Sequence, residues 1–408
     1  MSAWPTAPLR EVVDYPVARV VPEAAPERPF TYIDISAADA DRKVIVAPRT
    51  ILGREAPSRA RQQVLPADVL VSTTRPNLNA VAKVPPELAG AIASTGFAVL
   101  RPRAGLDADY LLHWTRSPSF VAAVSAMVQG ALYPAVTDRQ VLDLRIPLPP
   151  LDEQRRIAAR LGDQLSATDA LRLGIERRLE TIAHVHSEVL ASTFARIHAS
   201  AVALGAAVSQ PGAIADGPFG SHLKTEHYAR SGVRVIRLQN IGSGTFIDHD
   251  RAFVTREHAD TLTRHMALEG DVVVAALGDG ARPAGRACQV PDIGPALVKA
   301  DCFRVRTDSS PVDPGFLVWF LNSPLPQAMI AGQMRGATRP RVTLAMLKAF
   351  AIPLPPLAEQ RRIAARLREQ LAEIDRAKTA LDAQRNAIAA LPAALLREVF
   401  GPAQSLDG

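Results

Sequence analysis

The sequence predicts an α+β fold in which two globular domains are joined by two long antiparallel coiled-coil helices, with a pseudo-two-fold internal repeat. Three observations predict it. IPLPPLDEQRRIAARL (146–161) recurs as IPLPPLAEQRRIAARL (352–367), 206 positions on in a chain of 408 residues. Behind each copy a seven-residue spacing is kept by Leu161, Thr168, Ile175, Ile182 and Val189, and by Leu367, Ile374, Leu381, Ile388 and Leu395, the spacing of a coiled-coil seam. Ahead of each copy lie short β-branched runs separated by Gly, Pro, Asp and Ser clusters, which read as strands between turns.

Taken in order, residues 1–150 form the first globular domain. YIDIS (32–36), DVLVS (68–72) and FAVLR (97–101) read as strands, and ADYLLHWTRSPSFVAAVSAMV (108–128) as a helical pair broken at Ser-Pro. The first long helix is expected over 151–200. Leu-Pro-Pro breaks the chain before it, and Asp152 and Glu153 sit in its first turn, where the helix dipole favours carboxylates. Residues 201–356 form the second domain, with strands at RVIRLQNI (234–241), DVVVAAL (271–277) and CFRVR (302–306) and a helical pair at 314–334. The second long helix is expected over 357–401, followed by a tail, 402–408. The two helices end near Phe194 and Phe400. A second apolar set (Leu165, Leu171 and Leu179; Leu371, Ala377 and Leu391) completes the two seams. Pro392 has no counterpart in the first helix, which carries His186 there, so a kink or early fraying is expected. Further echoes link the halves: WTRSPSF (114–120) with WFLNSPLP (319–326), GALYPAVT (130–137) with GATRPRVT (336–343), and ADVLVSTTR (67–75) with GDVVVAALG (270–278).

Composition narrows the function. The net charge of +6, with arginine far outnumbering lysine, suits a polyanionic partner. The sequence has no apolar run long enough to span a bilayer and no basic start followed by an apolar core. Its two cysteines, Cys288 and Cys302, fit a reducing cytoplasm. Nucleotide-phosphate loops, H-E-x-x-H helices and Asn-Pro-Pro-aromatic tetrads are missing from the sequence. Asp34 with Asp41-Arg42-Lys43 faintly resembles a metal-dependent nuclease pattern, and Gly278 with Gly280 a dinucleotide loop, but a chance triplet and a tight basic loop explain them better. His184 and His186, two apart on a helix, point in different directions and make poor metal ligands. Nothing in the chain supports catalysis.

A helix of about 45 residues is about 65–70 Å long. If the second returns antiparallel to the first, two similar heads are held apart as in a caliper, over at most about two turns of duplex DNA. In this order of parts the chain resembles the specificity subunit of a type I restriction–modification system. The resemblance is carried by IPLPPLDEQRRI and IPLPPLAEQRRI, with DGPFGSHLKTEHYARSGVRVIRLQNIGSG (216–244), ALGDGARPAGRACQV (276–290) and GATRPRVTLAMLKAFAIPLPP (336–356). It covers essentially the whole chain and is clearer in the second half. It implies two target-recognition domains and two helical spacers, without chemistry of their own, that read a bipartite asymmetric target in double-stranded DNA. It further implies docking of two adenine methyltransferase subunits and, in the full phage-defence assembly, restriction–translocation subunits. S-adenosylmethionine, ATP and magnesium belong to those partners. Two rival readings stand beside it: the recognition half of a combined restriction–methyltransferase enzyme, and a coiled-coil scaffold that binds proteins only.

Base readout needs Arg, Asn and Gln, and phosphate contact needs Lys, Arg, Ser and backbone amides. In the first head the candidates are Arg54, Arg59 and Arg61 in a basic loop, then Arg75, Asn77, Asn79 and Lys83. In the second head Ser221, His222 and Lys224 follow a glycine-flanked PFG turn, which would let backbone approach DNA. Arg237, Gln239 and Asn240 lie on or after a strand, where alternation leaves about half of them to face DNA. Arg282 and Arg286 lie in a glycine-proline loop, and Arg335, Arg339 and Arg341 precede the second helix. The paired Arg155-Arg156 and Arg361-Arg362 occupy near-identical places on the two helices, so they serve something the halves share: partner docking, phosphate contact or a solvated face.

Overall fold

The computed structural model describes residues 4–128, 135–219, 222–278, 282–333 and 341–401. The chain divides into two units, residues 1–176 with 383–408, and residues 177–382. Each unit therefore holds one head, the start of the long helix that follows that head, and the end of the other long helix. The first long helix runs Leu151–Ala195 and the second Leu357–Phe400.

The first unit carries a four-stranded sheet in the order Val13–Asp14, Phe97–Pro102, Val69–Ser72, Val81–Lys83. A second sheet runs Arg49–Leu52, Pro29–Ile33, Ile92–Ser94, Ala60–Gln63. All strand pairs here are antiparallel except Ile92–Ser94 beside Pro29–Ile33. The second unit repeats this plan. One sheet runs Ile214–Asp216, Cys302–Val305, Val272–Ala275, Ala287–Gln289. The other runs Ala252–Val254, Val233–Ile236, Ala296–Val298, Met266–Ala267, with Tyr228–Ala229 added at its edge. Its parallel pair, Val233–Ile236 beside Ala296–Val298, falls at the equivalent place. The expected helical pairs form at Ala108–Thr115 with Pro118–Ala126 and at Pro314–Leu321 with Pro324–Gln333, each opened by an aspartate cap, Asp107 or Asp313. Strand RVIRLQNI is shorter than expected: after Ile236 the chain tightens into a 3₁₀ turn, Leu238–Asn240.

A feature not visible from the sequence closes each unit. Thr6–Pro8 pairs with Arg145–Pro147, and Ala201–Ala203 pairs with Ala351–Pro353. Each first strand leads into a single helical turn, Leu9–Val12 or Leu204–Ala207. The chain segments that enter the two heads are thus clipped to the segments that leave them, directly ahead of the long helices.

The seams pack best against the heads. Ile157, Ala158, Leu161, Leu396 and Phe400 join the first unit's core, and Leu190, Phe194, Ala364, Leu367 and Leu371 join the second's. In the second unit the end of the first long helix and the start of the second line one shared groove, with Val189, Thr193 and Arg196 from the one and Glu359, Ile363 and Gln370 from the other. Between these contacts burial weakens. Ile182, Leu381 and Ile388 are half-buried and every residue from 375 to 380 is exposed. Three expected seam positions are corrected. Leu171 is 56% exposed because the seven-residue register from Leu165 lands on Arg172, and Ala377 and Leu391 also face outward. Of the kink or early fraying expected at Pro392, the fraying does not occur. The helix continues to Phe400, and burial of Leu396 and Phe400 in the first unit's core offsets the lost hydrogen bond.

Candidate nucleic-acid interface

The repeated glutamine of EQRRI explains why that motif is kept twice. Gln154 is fully buried. Its Oε1 accepts from the Asp107 amide at 2.9 Å, and its Nε2 donates to the Gly105 and Pro149 carbonyls at 2.9 Å each. Gln360 repeats this with Asp313, Pro311 and Pro355 at 2.9, 2.8 and 2.8 Å. One side chain thereby ties the start of each long helix to the cap of the head's helical pair. Two buried forks stiffen the sheets: Asp68 with Arg101 at 2.9 and 2.8 Å, and Asp271 with Arg306 at 2.9 and 2.7 Å. The forks hold the Arg101 and Arg306 guanidiniums above their ordinary values. Sequence reading assigned neither set a role; the signal was there, a polar residue identical in both copies inside an apolar context.

In the first head three of the expected DNA-reading residues carry ion-pair partners. Arg61 forks onto Glu23 at 2.6 and 3.0 Å, Arg54 pairs with Glu27, and Lys83 with Asp109. Asn79 is corrected to a structural residue. It is buried with a left-handed backbone, φ +50°, its Nδ2 donates to the Thr115 carbonyl at 2.9 Å, and its own oxygens accept from Lys43 Nζ. Burial, with the Arg116 charge next, depresses that lysine to about 8, and its contacts with Asn79 spend the lysine of the nuclease-like triplet on holding this turn. Arg59, Arg75 and Asn77 remain exposed. Arg75 (φ +49°) and Asn79 bracket the turn Pro76–Leu78 and present it outward.

In the second head two candidates are corrected. Asn240 is fully buried: its Nδ2 donates to the carbonyls of Ile247 and His249 at 3.0 and 3.1 Å, and its Oδ1 accepts from the Arg237 amide at 2.9 Å. Arg286 is 1% exposed and donates to the carbonyls of Ile241, Leu277, Pro283 and Leu238 at 2.7–3.0 Å. It knits the glycine-proline loop to the neighbouring turn. The bare face of Gly217 is also occupied, since a Cβ there would come within 2.1 Å of the Lys299 backbone. That glycine serves packing, and the second glycine of the turn, Gly220, lies outside the described residues. His222 and Lys224 are exposed and Arg282 half-buried, while Arg341 is exposed and 3.4 Å from Asp301. Ser221, Arg335 and Arg339 lie outside the described residues. Arg237 and Gln239 are half-buried, both donating to Asp250.

On the long helices Arg156 forks onto Glu153 at 2.8 and 2.6 Å, Arg155 lies 3.5 Å from Asp152, Arg362 lies 3.4 Å from Glu359 and Arg361 lies 3.8 Å from Asp313. All four arginines are more than half exposed. Among the described residues no group of three or more His, Cys, Asp or Glu side chains is placed to hold a metal ion, and no helix is long and apolar enough to cross a membrane.

Comparison with known proteins agrees with this anatomy. The family model described as "Type I restriction modification DNA specificity domain" matches residues 62–181 and 312–387. The two stretches end at equivalent points, 206 positions apart. The specificity subunit of the type I restriction enzyme MjaVIII from Methanocaldococcus jannaschii is 23% identical over 303 residues, 70% of this chain and 69% of the relative. That of StySPI from Salmonella potsdam is 20% identical over 348 residues, 83% of this chain and 75% of the relative. Among solved structures, a chain described under complex assembly and conformational transition of the type I R-M system aligns at TM-score 0.82. It is 29% identical and covers 98% of both chains. The HsdS subunit from Thermoanaerobacter tengcongensis aligns at TM-score 0.62, with 27% identity over 98% of this chain and 97% of that one.

Proposed function

The chain belongs to the specificity subunits of type I restriction–modification systems, and on that premise we propose that it reads a bipartite, asymmetric DNA target and positions two adenine methyltransferase subunits on it. The observation that carries this reading is the double construction. Two heads share a strand order and a buried glutamine tie to a long helix, yet the described loops that offer Arg, Asn or Gln, such as Arg75–Asn79 in the first and Arg237–Asn240 in the second, differ. Equal frames suit identical partners, and unequal loops suit different half-sites. The chain itself does no chemistry in this reading: S-adenosylmethionine, ATP and magnesium work on the methyltransferase and restriction–translocation subunits, in the compartment that holds the DNA.

Arg54, Arg59, Arg75 and Asn77 are the proposed contacts of the first head. His222, Lys224, Arg237, Gln239, Arg282 and Arg341 are those of the second. Arg155, Arg156, Arg361 and Arg362 face the partner subunits. Co-expression with the methyltransferase subunit, followed by mapping of methylated adenines across host DNA, tests the reading. A two-part asymmetric motif with a constant gap of at most about two duplex turns is expected. Methylation at one compact site, or without dependence on this chain, would overturn it.

A further inference from the structure

In the second head a single carboxylate holds two half-buried candidate side chains, Arg237 (20% exposed) and Gln239. Arg237 Nη2 donates to Asp250 Oδ1 at 2.6 Å and to the Asp250 carbonyl at 3.0 Å, while Gln239 Nε2 donates to Asp250 Oδ2 at 2.6 Å. Asp250 is reached by a left-handed turn, φ +60°, in a loop whose underside is pinned by buried Asn240 through the carbonyls of Ile247 and His249. The adjacent Asp248 performs the same service for Arg234 and Arg251. The Asp250 side chain is nevertheless 47% exposed, so the cluster lies at the surface and is open to a ligand. The Gln239 hydrogen bond first, and the Arg237 charge next, hold the Asp250 carboxyl below the usual carboxylate range. It is therefore anionic at neutral pH.

We propose that Asp250 is a specificity-determining residue of the second head: it holds Arg237 and Gln239 in a fixed fan and cancels the attraction of Arg237 for phosphate. The physical argument concerns which ligands can use the fan. An unpaired surface arginine gains affinity from any phosphate by counterion release, whatever the sequence. Arg237 beside Asp250 gains little from a phosphate, because the approaching anion meets a carboxylate at the same place. A base edge meets no such repulsion. Guanine presents two acceptors to an arginine, adenine pairs with a glutamine amide, and cytosine N4 donates to a carboxylate. The Asp250 group thus removes sequence-blind binding while leaving edge recognition in place. This inference rests on the reading of Arg237 and Gln239 as DNA contacts.

The test uses the complex reconstituted with its methyltransferase subunits, a duplex bearing the mapped target and a duplex of scrambled sequence. Affinities are measured from low to moderate salt for wild type, Asp250→Asn and Arg237→Ala. Asp250→Asn preserves size and one acceptor. It is expected to raise affinity for the scrambled duplex about five- to tenfold, with a log–log salt slope steeper by about 0.9, one more phosphate contact. Target affinity should move less, so discrimination falls. Unchanged affinity and slope on the scrambled duplex, or parallel loss on both duplexes, would overturn the proposal. Arg237→Ala separates the two layers. If it leaves binding to the target duplex unaltered, the placement of Arg237 at DNA fails; if it weakens that binding while Asp250→Asn changes nothing, only the role of Asp250 fails.

Discussion

The two heads resemble each other most where the chain holds itself and least where it is free to meet something else. Inside, Gln154 matches Gln360, the Asp68–Arg101 fork matches Asp271–Arg306, and the pair Tyr110–Phe400 (ring centroids 5.3 Å apart) matches Phe316–Phe194 (5.4 Å). Outside, the first head presents a left-handed turn over Arg75–Asn79, and the second knots its counterpart with buried Arg286 and offers Arg237 and Gln239 instead. A duplicated frame constrains its buried hydrogen bonds, because each one lost strands a partner in the interior. Surface loops carry no such debt and diverge. Comparing the heads therefore picks out the shared holding residues, while Asn79, Asn240 and Arg286 hold loops that only one head has.

The sharpest way to break this comparison is to remove the two glutamines. Gln154→Ala and Gln360→Ala each strand one backbone donor and two backbone carbonyls, with each buried unsatisfied group costing about 1–3 kcal/mol, so a loss on the order of 5 kcal/mol is expected in either unit. Local stability read by hydrogen exchange in each head should fall by similar amounts for the two variants, and in the mutated unit only. A large effect in one unit and none in the other would show that the repeat of EQRRI is not a repeat of function.

Much of this frame was legible in the sequence. The 206-residue spacing, the Leu-Pro-Pro breakers and the apolar period located both long helices, which begin at Leu151 and Leu357. Short β-branched runs located the central strands. What escaped reading has physical causes. Asn79, Asn240 and Arg286 are polar residues in glycine-, proline- or asparagine-rich loops, the same signature as a DNA-reading loop. Only the fold reveals that nearby carbonyls already use their donors. The apolar chemistry of Leu171 suits a seam, but a seven-residue step from Leu165 passes it by one position, about 100° round the helix. The clips Thr6–Pro8 and Ala201–Ala203 use backbone bonds, which leave almost no mark on side-chain identity.

A second contrast sharpens the comparison through pH. His113 is buried in the first head, and the equivalent position 206 residues on is Trp319. Burial, with the Arg116 charge next, depresses the imidazole to about 4. Its unfolded value is near 6.5, so the unfolded chain binds a proton first as pH falls. The stability of the first unit should then be complete above about pH 6.5, decline as pH falls toward about 4, and lose about 3 kcal/mol in all. In the second unit His186 is depressed by burial and drawn back by Asp375, which gives a weaker response of the same sign. Urea unfolding monitored separately in the two units between pH 7 and 4 measures both, and His113→Leu should flatten the decline in the first unit. An equally steep decline after that substitution would place the acid response elsewhere.

The smallest effect is expected at the arginine pairs, and there the two halves should differ in ion pairing yet agree in function. Arg156 is held by Glu153 through two short bonds, whereas its counterpart Arg362 reaches Glu359 by one contact of 3.4 Å. Arg155 leans on Asp152, for which the second half has Ala358, and Arg361 turns to Asp313 at 3.8 Å. All are solvated, and exposed i,i+3 pairs contribute little to folding, so alanine at either pair should leave thermal unfolding unchanged. If these arginines dock identical methyltransferase subunits, R155A/R156A and R361A/R362A should weaken assembly of the complex to the same degree despite their unequal ion pairs. Native mass spectrometry of the assembled complex, titrated with the methyltransferase subunit, reads that occupancy site by site. Unequal losses that followed the ion-pair geometry would mean that the pairs only trim the helix surface and that docking rests on other residues of the duplicated frame.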